Sequence, residues 1–335
     1  MLALLADART LISGSKDGSV LMWDTAIDHR QNASIVIPGD QVAWRFTPDS
    51  KAILTMDSQG RVVRRTGERF ESEEVLLDIG KPITGGSVIY AKALAVACYR
   101  DGRVQFWDLT RHSLLHEAKP FKGPVNGGWG ILLESDRILI TDNALTVVQF
   151  NLPTFQDTKT WTSDSGTMLA LSPDQRQRIE LGYMATGTIT DVQTGQQRTL
   201  NLGQSQIPDV TFSADGKLFA VASHDGYAGL WETSTLRPIS TLRGFLQGVH
   251  SVAFSPDGRR LAAGSGGKEA IKLWDLDSYE EVITLEGTGS SFHRTAFSPD
   301  KNVLGSMNDS GVLNLWTAPT WEQINSAEGT GGKTK

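Results

Sequence analysis

The amino-acid sequence predicts an all-β fold built from repeated four-stranded antiparallel units. Equivalent positions return along the chain at steps of 40 to 43 residues, a period typical of four-stranded repeat units. Most units place tight turns between short runs in which apolar and polar residues alternate, as half-buried strands do. No segment shows sustained helical periodicity. The 335 residues hold eight such units.

The period is clearest at one position, which is a tryptophan in five of the eight units. The other three units keep the spacing and carry arginine, phenylalanine or threonine there. In chain order the equivalent residues are Trp23, Arg65, Trp107, Phe150, Thr190, Trp231, Trp274 and Trp316. Because the spacing survives where the tryptophan is lost, we interpret the period as a structural unit.

Two turn motifs divide each unit into strands. The first is seen in "VAFSPDGRRLAAGS" (252–265), where proline fixes φ and Asp-Gly accepts the bend that closes a hairpin. It returns at 46–50, 171–175, 212–216 and 297–301. The second is an Asp-Gly turn that leads into the strand bearing the tryptophan. We expect its aspartates to cap their own turns through backbone N–H groups; they are Asp17, Asp101, Asp225 and Asp309.

The combination "FSPDG…GS…DG…LWD" resembles the WD-repeat family of β-propellers, and the resemblance covers residues 1 to about 325. It implies a β-propeller of four-stranded antiparallel blades. We predict eight blades in residues 1–325, followed by a flexible tail at 326–335. Trp44 and Trp129 fall inside inner strands and are predicted to be core residues.

The chain departs from the family pattern in one respect. The family's Gly-His pair before the innermost strand is absent, since the matching places read Gly244-Phe245 and Gly287-Thr288. The buried His–Asp link of the family is therefore lost. We expect apolar packing between neighbouring blades to stabilise the array instead, as in other repeat architectures.

Eight complete units fit the chain without the exchanged strand that usually ties the first blade of such a ring to the last. Two explanations remain open. An eight-bladed ring closes by packing alone, or the array is the C-terminal piece of a longer protein.

Composition limits the partners. The formal net charge of -6 gives no reason to expect nucleic acid, which requires a basic face. Cys98 is the single cysteine, which excludes internal disulfides and suits a reducing compartment. No apolar stretch reaches the length of a membrane span. We therefore expect a cytoplasmic monomer whose partners are proteins or peptides, with no nucleic acid and no membrane.

The sequence contains no clear catalytic or cofactor-binding motif. The carboxylates are mostly turn residues, so no catalytic pair stands out. The six histidines are scattered along the chain, which argues against a closed metal site. The segment "AEGTGGKT" (327–334) matches a loose phosphate-loop pattern but lacks the helix that such a loop needs. We expect no enzyme activity, no cofactor and no metal.

The candidate site is a surface. The resemblance implies that the second turn of each unit and the loop into each inner strand lie on one rim around a central channel. Aromatic and basic groups there are what protein interfaces favour. Any one of them can instead be structural, because turns are polar when solvated and aromatics plug gaps between blades. The candidate rim residues are Lys16, Arg100, Trp161, His224, Phe245, Lys268, Phe292, His293 and Asn308.

The sequence favours a non-enzymatic scaffold whose rim binds proteins or peptides. A second interpretation is the C-terminal regulatory or sensor propeller of a larger signalling protein, such as a bacterial serine/threonine kinase. A third is a propeller enzyme or a propeller that binds a small ligand in its channel. Fold alone does not decide between them.

Overall fold

The chain folds into two compact units. A computed structural model describes residues 2–4, 10–14, 20–24, 35–37, 39–125, 130–142, 144–163, 168–182, 184–203, 206–267 and 269–317. The larger unit contains residues 35–315, and the smaller contains residues 1–34 and 316–335. The smaller unit holds a three-stranded antiparallel sheet of β1 (Leu2–Leu4), β2 (Thr10–Gly14) and β3 (Val20–Asp24).

The larger unit consists of seven four-stranded antiparallel sheets, the blades of a β-propeller. Blades one to three are β5 (Gln41–Phe46), β6 (Ile53–Asp57), β7 (Arg61–Thr66), β8 (Ser72–Asp78); β9 (Gly85–Ile89), β10 (Leu94–Cys98), β11 (Val104–Asp108), β12 (Ser113–Ala118); and β13 (Gly130–Glu134), β14 (Arg137–Thr141), β15 (Thr146–Asn151), β16 (Gln156–Thr162). A short 3-10 helix, Tyr90–Lys92, joins β9 to β10.

Blades four to six continue the same order from inner to outer strand. They are β17 (Met168–Leu171), β18 (Gln177–Leu181), β19 (Thr186–Asp191), β20 (Gln197–Asn201); β21 (Asp209–Phe212), β22 (Leu218–Ser223), β23 (Tyr227–Glu232), β24 (Pro238–Arg243); and β25 (Ser251–Phe254), β26 (Arg260–Gly264), β27 (Ile271–Asp275), β28 (Glu281–Leu285).

The seventh blade contains a strand from the other end of the chain. Its first three strands are β29 (His293–Phe297), β30 (Val303–Met307) and β31 (Leu313–Thr317), and its outer strand is β4 (Ile35–Ile37). β4 runs antiparallel to β31, with Ile37 opposite Leu313. An exchanged strand therefore ties the last blade to the segment that leads into the first.

The predictions of eight blades and of a ring without an exchanged strand were wrong. The ring has seven blades, because the segment that would be the fourth strand of the first repeat pairs with the last blade instead. Periodicity counts repeats, but it does not reveal which sheet receives the fourth strand of each. The tail predicted at 326–335 lies outside the described residues.

Side-chain contacts between blades seven and one also close the ring. The Arg294 guanidinium donates a hydrogen bond to the Val42 carbonyl. The Asp300 N–H donates to the Ser50 hydroxyl at 2.9 Å. Trp44 packs so closely on Gly305 that a Cβ added there would lie 2.5 Å from the indole.

The hydrophobic core lies between neighbouring blades, as the sequence predicted. One cluster joins blades two and three, where the rings of Phe106 and Phe150 meet with centroids 4.9 Å apart. Trp44 belongs to the cluster between blades seven and one and is 8% exposed, which confirms its prediction as a core residue. Trp129 lies outside the described residues.

The first turn motif contains a hydrogen-bond network that repeats in five blades. In blade six the buried Ser255 hydroxyl donates to the Asp257 carboxylate at 2.6 Å and accepts from the Arg260 N–H at 2.9 Å. The Asp257 carboxylate accepts in turn from the Arg259 N–H at 3.1 Å. The hydroxyl–carboxylate bond recurs at Thr47–Asp49, Ser172–Asp174, Ser213–Asp215 and Ser298–Asp300.

Candidate functional site

One surface of the propeller, which we call the rim, is formed by two kinds of connection. Hydrogen bonds join them: the Val125 N–H donates to the Arg100 carbonyl at 2.7 Å, and the Val249 N–H donates to the Ser223 carbonyl at 2.9 Å. Turns and loops therefore share one side of the ring. The rim comprises the turns 58–60, 99–103, 142–145, 182–185, 224–226, 265–270 and 308–312 and the loops 39–40, 79–84, 119–125, 202–208, 244–250 and 286–292, where these are described.

Two predicted rim residues come together with a third residue that was not proposed. His224 lies in the turn between β22 and β23, and His293 is the first residue of β29. His250, just before β25, lies between them: its ring centroid is 4.8 Å from that of His224 and 5.1 Å from that of His293. Histidines from blades five, six and seven thus form a row, which their scattered positions in the sequence did not suggest.

Burial keeps these histidines uncharged. It lowers the pKa of His224 and of His293, and it lowers the pKa of His250 to about 4, with the two neighbouring rings adding to the effect. Desolvation disfavours the imidazolium form. At neutral pH the row therefore presents neutral rings, each with an unprotonated nitrogen.

Arg100 is exposed on the rim, as predicted. With Asp101, Lys119, Gly123 and Pro124 it lines a shallow cleft between blades two and three. The cleft is open to solvent and carries charges of both signs. It is suited to a polar contact at the edge of an interface.

The two predicted aromatic residues of the loops differ in exposure. Phe292 is completely buried, and its ring fills the space beside Gly287, where an added Cβ would lie 2.7 Å from it. Its proposed role as a rim contact is therefore corrected: Phe292 is a core residue. Phe245 is half-buried, with its ring edge-on to Trp274 at 5.5 Å and the Lys272 ammonium 5.7 Å from its centre. Only part of it can reach a partner.

Trp161 lies in β16, the outer strand of blade three, and not at the start of an inner strand as expected. Its half-buried ring has the Lys159 ammonium 5.3 Å and the Arg178 guanidinium 5.9 Å from a ring centroid. This is a cation–π arrangement. This arrangement explains the position of Trp161 without a binding partner.

Asn308 is only 4% exposed, so its role is structural. Its side-chain oxygen accepts from the N–H groups of Ser310 at 3.0 Å and Val312 at 2.9 Å, which caps the turn. Asp309, the predicted cap, instead accepts from the Ser290 hydroxyl at 3.1 Å. The cap expected of Asp101 is present, because its carboxylate accepts from the Arg103 N–H at 3.2 Å.

Two predicted rim residues, Lys16 and Lys268, lie outside the described residues. The expected turn cap Asp17 lies outside them as well.

Sequence reasoning missed the most exposed apolar side chains of the rim. Leu246, in the loop between blades five and six, is 90% exposed, and Met184, in the second turn of blade four, is 59% exposed. A detectable signal was present, because Met184 stands in "GYMATG" where the sister turns read Lys-Asp-Gly, Arg-Asp-Gly and His-Asp-Gly. Exposed apolar residues in solvated turns are a feature of interaction sites.

No group of three or more His, Cys, Asp and Glu side chains stands ready to hold a metal ion in the part of the chain that the structure describes. Within the same residues, no helix has the length and apolar character to cross a membrane.

Comparison with known proteins supports the repeat assignment. The model of the family "WD domain, G-beta repeat" matches residues 2–24, 195–232 and 236–275. The second match begins before β20 and the third before β24, and each continues into the three inner strands of the next blade. These two matched repeats therefore each span two blades, which is the arrangement that produces an exchanged strand.

Two curated relatives match at low identity. The chain is 25% identical over 282 residues to guanine nucleotide-binding protein subunit beta-like protein 1 of Mus musculus, covering 79% of this chain and 74% of the relative. It is 29% identical over 174 residues to WD repeat-containing protein SL1-17 of Schistosoma mansoni, covering 49% of this chain and 55% of that protein. Neither name supports the alternative of a kinase-linked propeller. The three matched segments carry the WD-repeat signature, and the seven four-stranded sheets form a β-propeller, so the chain is similar to the WD-repeat β-propellers.

Proposed function

We propose that this chain is a non-enzymatic interaction module whose rim binds other proteins or peptides. The observation that carries the proposal is the exposure of Leu246 and Met184 on the rim. Leaving large apolar side chains in water forgoes the free energy of burying them, about 1.5 to 3 kcal/mol each. Burial against a partner would recover that free energy.

The rim is favoured over the outer strands for the same reason. Outer strands also expose apolar side chains, but the largest exposure there is 50%, at Val282 in β28, and Ile239 in β24 is 41% exposed. The two most exposed large apolar residues in the described part of the chain both belong to the rim. Exposed Arg100 adds a polar group of the type that interfaces use at their margins.

Similarity to a known family supports the same proposal. WD-repeat propellers generally mediate protein–protein interactions, and the relatives are named as a WD-repeat protein and a G-protein beta-like protein. Fold likeness alone does not assign a function, so the rim itself must be tested.

The test is affinity capture with three immobilised baits: the unmodified chain, the rim variant Leu246→Glu plus Met184→Glu, and the outer-strand control Val282→Glu. Each variant places a carboxylate at an exposed apolar position, so folding should be unaffected, which circular dichroism and a urea transition can verify. We expect a specific partner to bind the unmodified chain and the control and to be lost from the rim variant. Equal capture by all three baits would contradict the proposal.

A further inference from the structure

The shallow cleft between blades two and three, which we call the basic cleft, is formed by two connections of the rim. Residues of the turn 99–103 line it on one side, and residues of the loop 119–125, which leads toward blade three, line it on the other. The Val125 N–H donates to the Arg100 carbonyl at 2.7 Å. This bond holds the loop against the turn.

The backbone of the cleft is rigid, because its loop is anchored in the core. Phe121 and Val125 are buried in the cluster between blades two and three. Gly102 allows the turn to approach the loop closely: its φ is 87°, and a Cβ added there would lie 2.1 Å from the Phe121 carbonyl oxygen. The backbone on both sides of the cleft is therefore in place before a partner binds, which reduces the cost of ordering it.

The acidic side chains of this region are already paired. Arg103 Nε lies 2.6 Å from the Asp101 carboxylate, and the Arg103 guanidinium lies 3.4 Å from the Glu117 carboxylate. The Gln105 side-chain amide also donates a hydrogen bond to Glu117. One arginine and one amide thus hold both carboxylates.

Three basic side chains of the two connections remain available. Arg100, Lys119 and Lys122 are exposed. Among the residues that the structure describes, no hydrogen bond or ion pair joins any of these three side chains to a carboxylate, although Asp101 attracts Lys119 electrostatically. The region therefore carries an excess of positive charge in a chain whose formal net charge is -6, and this excess is complementary to an acidic partner.

The carboxylate of Asp101 favours one kind of acidic partner. It lies among the basic groups of the cleft, where it would repel the evenly charged backbone of a nucleic acid, which requires a continuous basic face. A peptide has N–H groups that this carboxylate can accept. Its acidic side chains can pair with Arg100, whose guanidinium binds a carboxylate through two parallel hydrogen bonds.

We propose that the basic cleft binds an acidic segment of a protein partner, in which Asp or Glu carboxylates pair with Arg100, Lys119 and Lys122. The inference rests on the proposed function, because it names the chemistry of a partner for one part of the rim. Leu246 and Met184 belong to connections of other blades. The apolar contact and the basic contact can therefore be tested separately.

The experiment is a fluorescence anisotropy titration of the full chain with two labelled peptides of equal length. One peptide alternates Glu and Ser, and the other has Gln in place of every Glu. We expect only the Glu peptide to bind, and added salt to weaken its binding by screening. Arg100→Glu plus Lys119→Glu should raise the Kd at least about tenfold, because two charge-assisted hydrogen bonds are lost.

The matched control is Arg69→Glu plus Arg237→Glu, which changes the net charge of the chain by the same amount. Both arginines are exposed and lie outside the rim, in turns between the third strand and the outer strand of their blades. At physiological ionic strength, exposed charges farther apart than about 8 Å are largely screened. The control should therefore bind the Glu peptide like the unmodified chain, and circular dichroism verifies that all variants fold.

The variant Leu246→Glu plus Met184→Glu should also bind the Glu peptide like the unmodified chain. If all three baits of the capture experiment performed equally while the cleft variant lost the Glu peptide, the apolar contact would be rejected and the basic one kept. The proposal is overturned if the Glu peptide does not bind, or if the control weakens its binding as much as the cleft variant does. Tighter binding of a single-stranded oligonucleotide that the cleft variant loses would overturn it as well.

Discussion

Asp209 shows how a single side chain links neighbouring blades. It is the first residue of β21, and its carboxylate accepts hydrogen bonds from the N–H groups of Val210 and Val252, each at 2.9 Å. Val252 belongs to β25, the inner strand of the next blade, whose open edge has no neighbouring strand. The Arg294 guanidinium similarly donates a hydrogen bond to the carbonyl of Val42 in β5, the inner strand of blade one. Inner-strand edges, which would otherwise leave backbone groups unpaired, are thus used to join blades.

The link through Asp209 has a pH dependence that can be measured. Burial raises the pKa of Asp209 to about 7, from 3.8. At pH values between 3.8 and 7, Asp209 is protonated in the folded chain and ionised in the unfolded chain. The contribution of Asp209 to the free energy of unfolding is therefore present in full at low pH and is lost as the pH rises through 7. We expect Asp209→Asn, which keeps an accepting oxygen, to gain stability relative to the unmodified chain between pH 5 and pH 8, with a slope of at most about 1.4 kcal/mol per pH unit.

Urea unfolding at several pH values measures this difference. Asp277→Asn is the matched control, because Asp277 is an exposed turn residue of the same chemistry. A difference between Asp209→Asn and the unmodified chain that stays constant across this range would show that Asp209 ionises as it does in the unfolded chain.

At the scale of one element, the turn between the first and second strands depends on more than its proline and aspartate. The sequence identified both, but the hydroxyl that begins the motif carries the network. Ser255 is 3% exposed, and it bonds Asp257 and the Arg260 N–H at once. The bond from Ser255 is the main reason why the pKa of Asp257 falls to about 2.

Ser255→Ala should lower the free energy of unfolding by about 1 to 2 kcal/mol, because it leaves the Arg260 N–H and the Asp257 carboxylate without their shared partner. The pKa of Asp257 should rise toward its ordinary value in the same variant, which NMR titration can follow. Ser278→Ala is the control: its hydroxyl also bonds a turn aspartate, Asp275 at 3.1 Å, but it is exposed. An equally large loss of stability in Ser278→Ala would mean that burial of the Ser255 hydroxyl is unimportant.

At the scale of the molecule, we expect the exchanged strand β4 to be needed for ring closure, because it pairs with β31 in the last blade. Ile37 is 2% exposed and belongs to the cluster that joins blade seven to blade one, together with Trp44, Leu313 and Leu315. Closure therefore combines strand pairing with burial of an apolar side chain.

A pair of truncations tests this closure. Deletion of residues 1–34 keeps β4, and we expect one cooperative urea transition from the remaining ring. Deletion of residues 1–38 removes β4 and exposes the edge of β31, so it should lower the free energy of unfolding by at least about 3 kcal/mol, as expected when a core isoleucine is lost. Equal stability of the two truncated chains would show that the ring closes without the exchanged strand.

The sequence by itself determined the all-β repeat architecture, the positions of both turn motifs and the packing of apolar residues between blades. These features are local or periodic: Asp-Gly and Ser-Pro-Asp turns form from neighbouring residues, and a period of 40 to 43 residues requires units of one size.

Only the tertiary structure decided the blade count, the burial of Phe292 and Asn308, and the convergence of His224, His250 and His293. Each depends on contacts between residues that are far apart in the chain. β4 pairs with β31 because a closed ring satisfies an edge that an open array leaves exposed. The histidines meet because that ring places the turn of one blade beside the inner strand of the next.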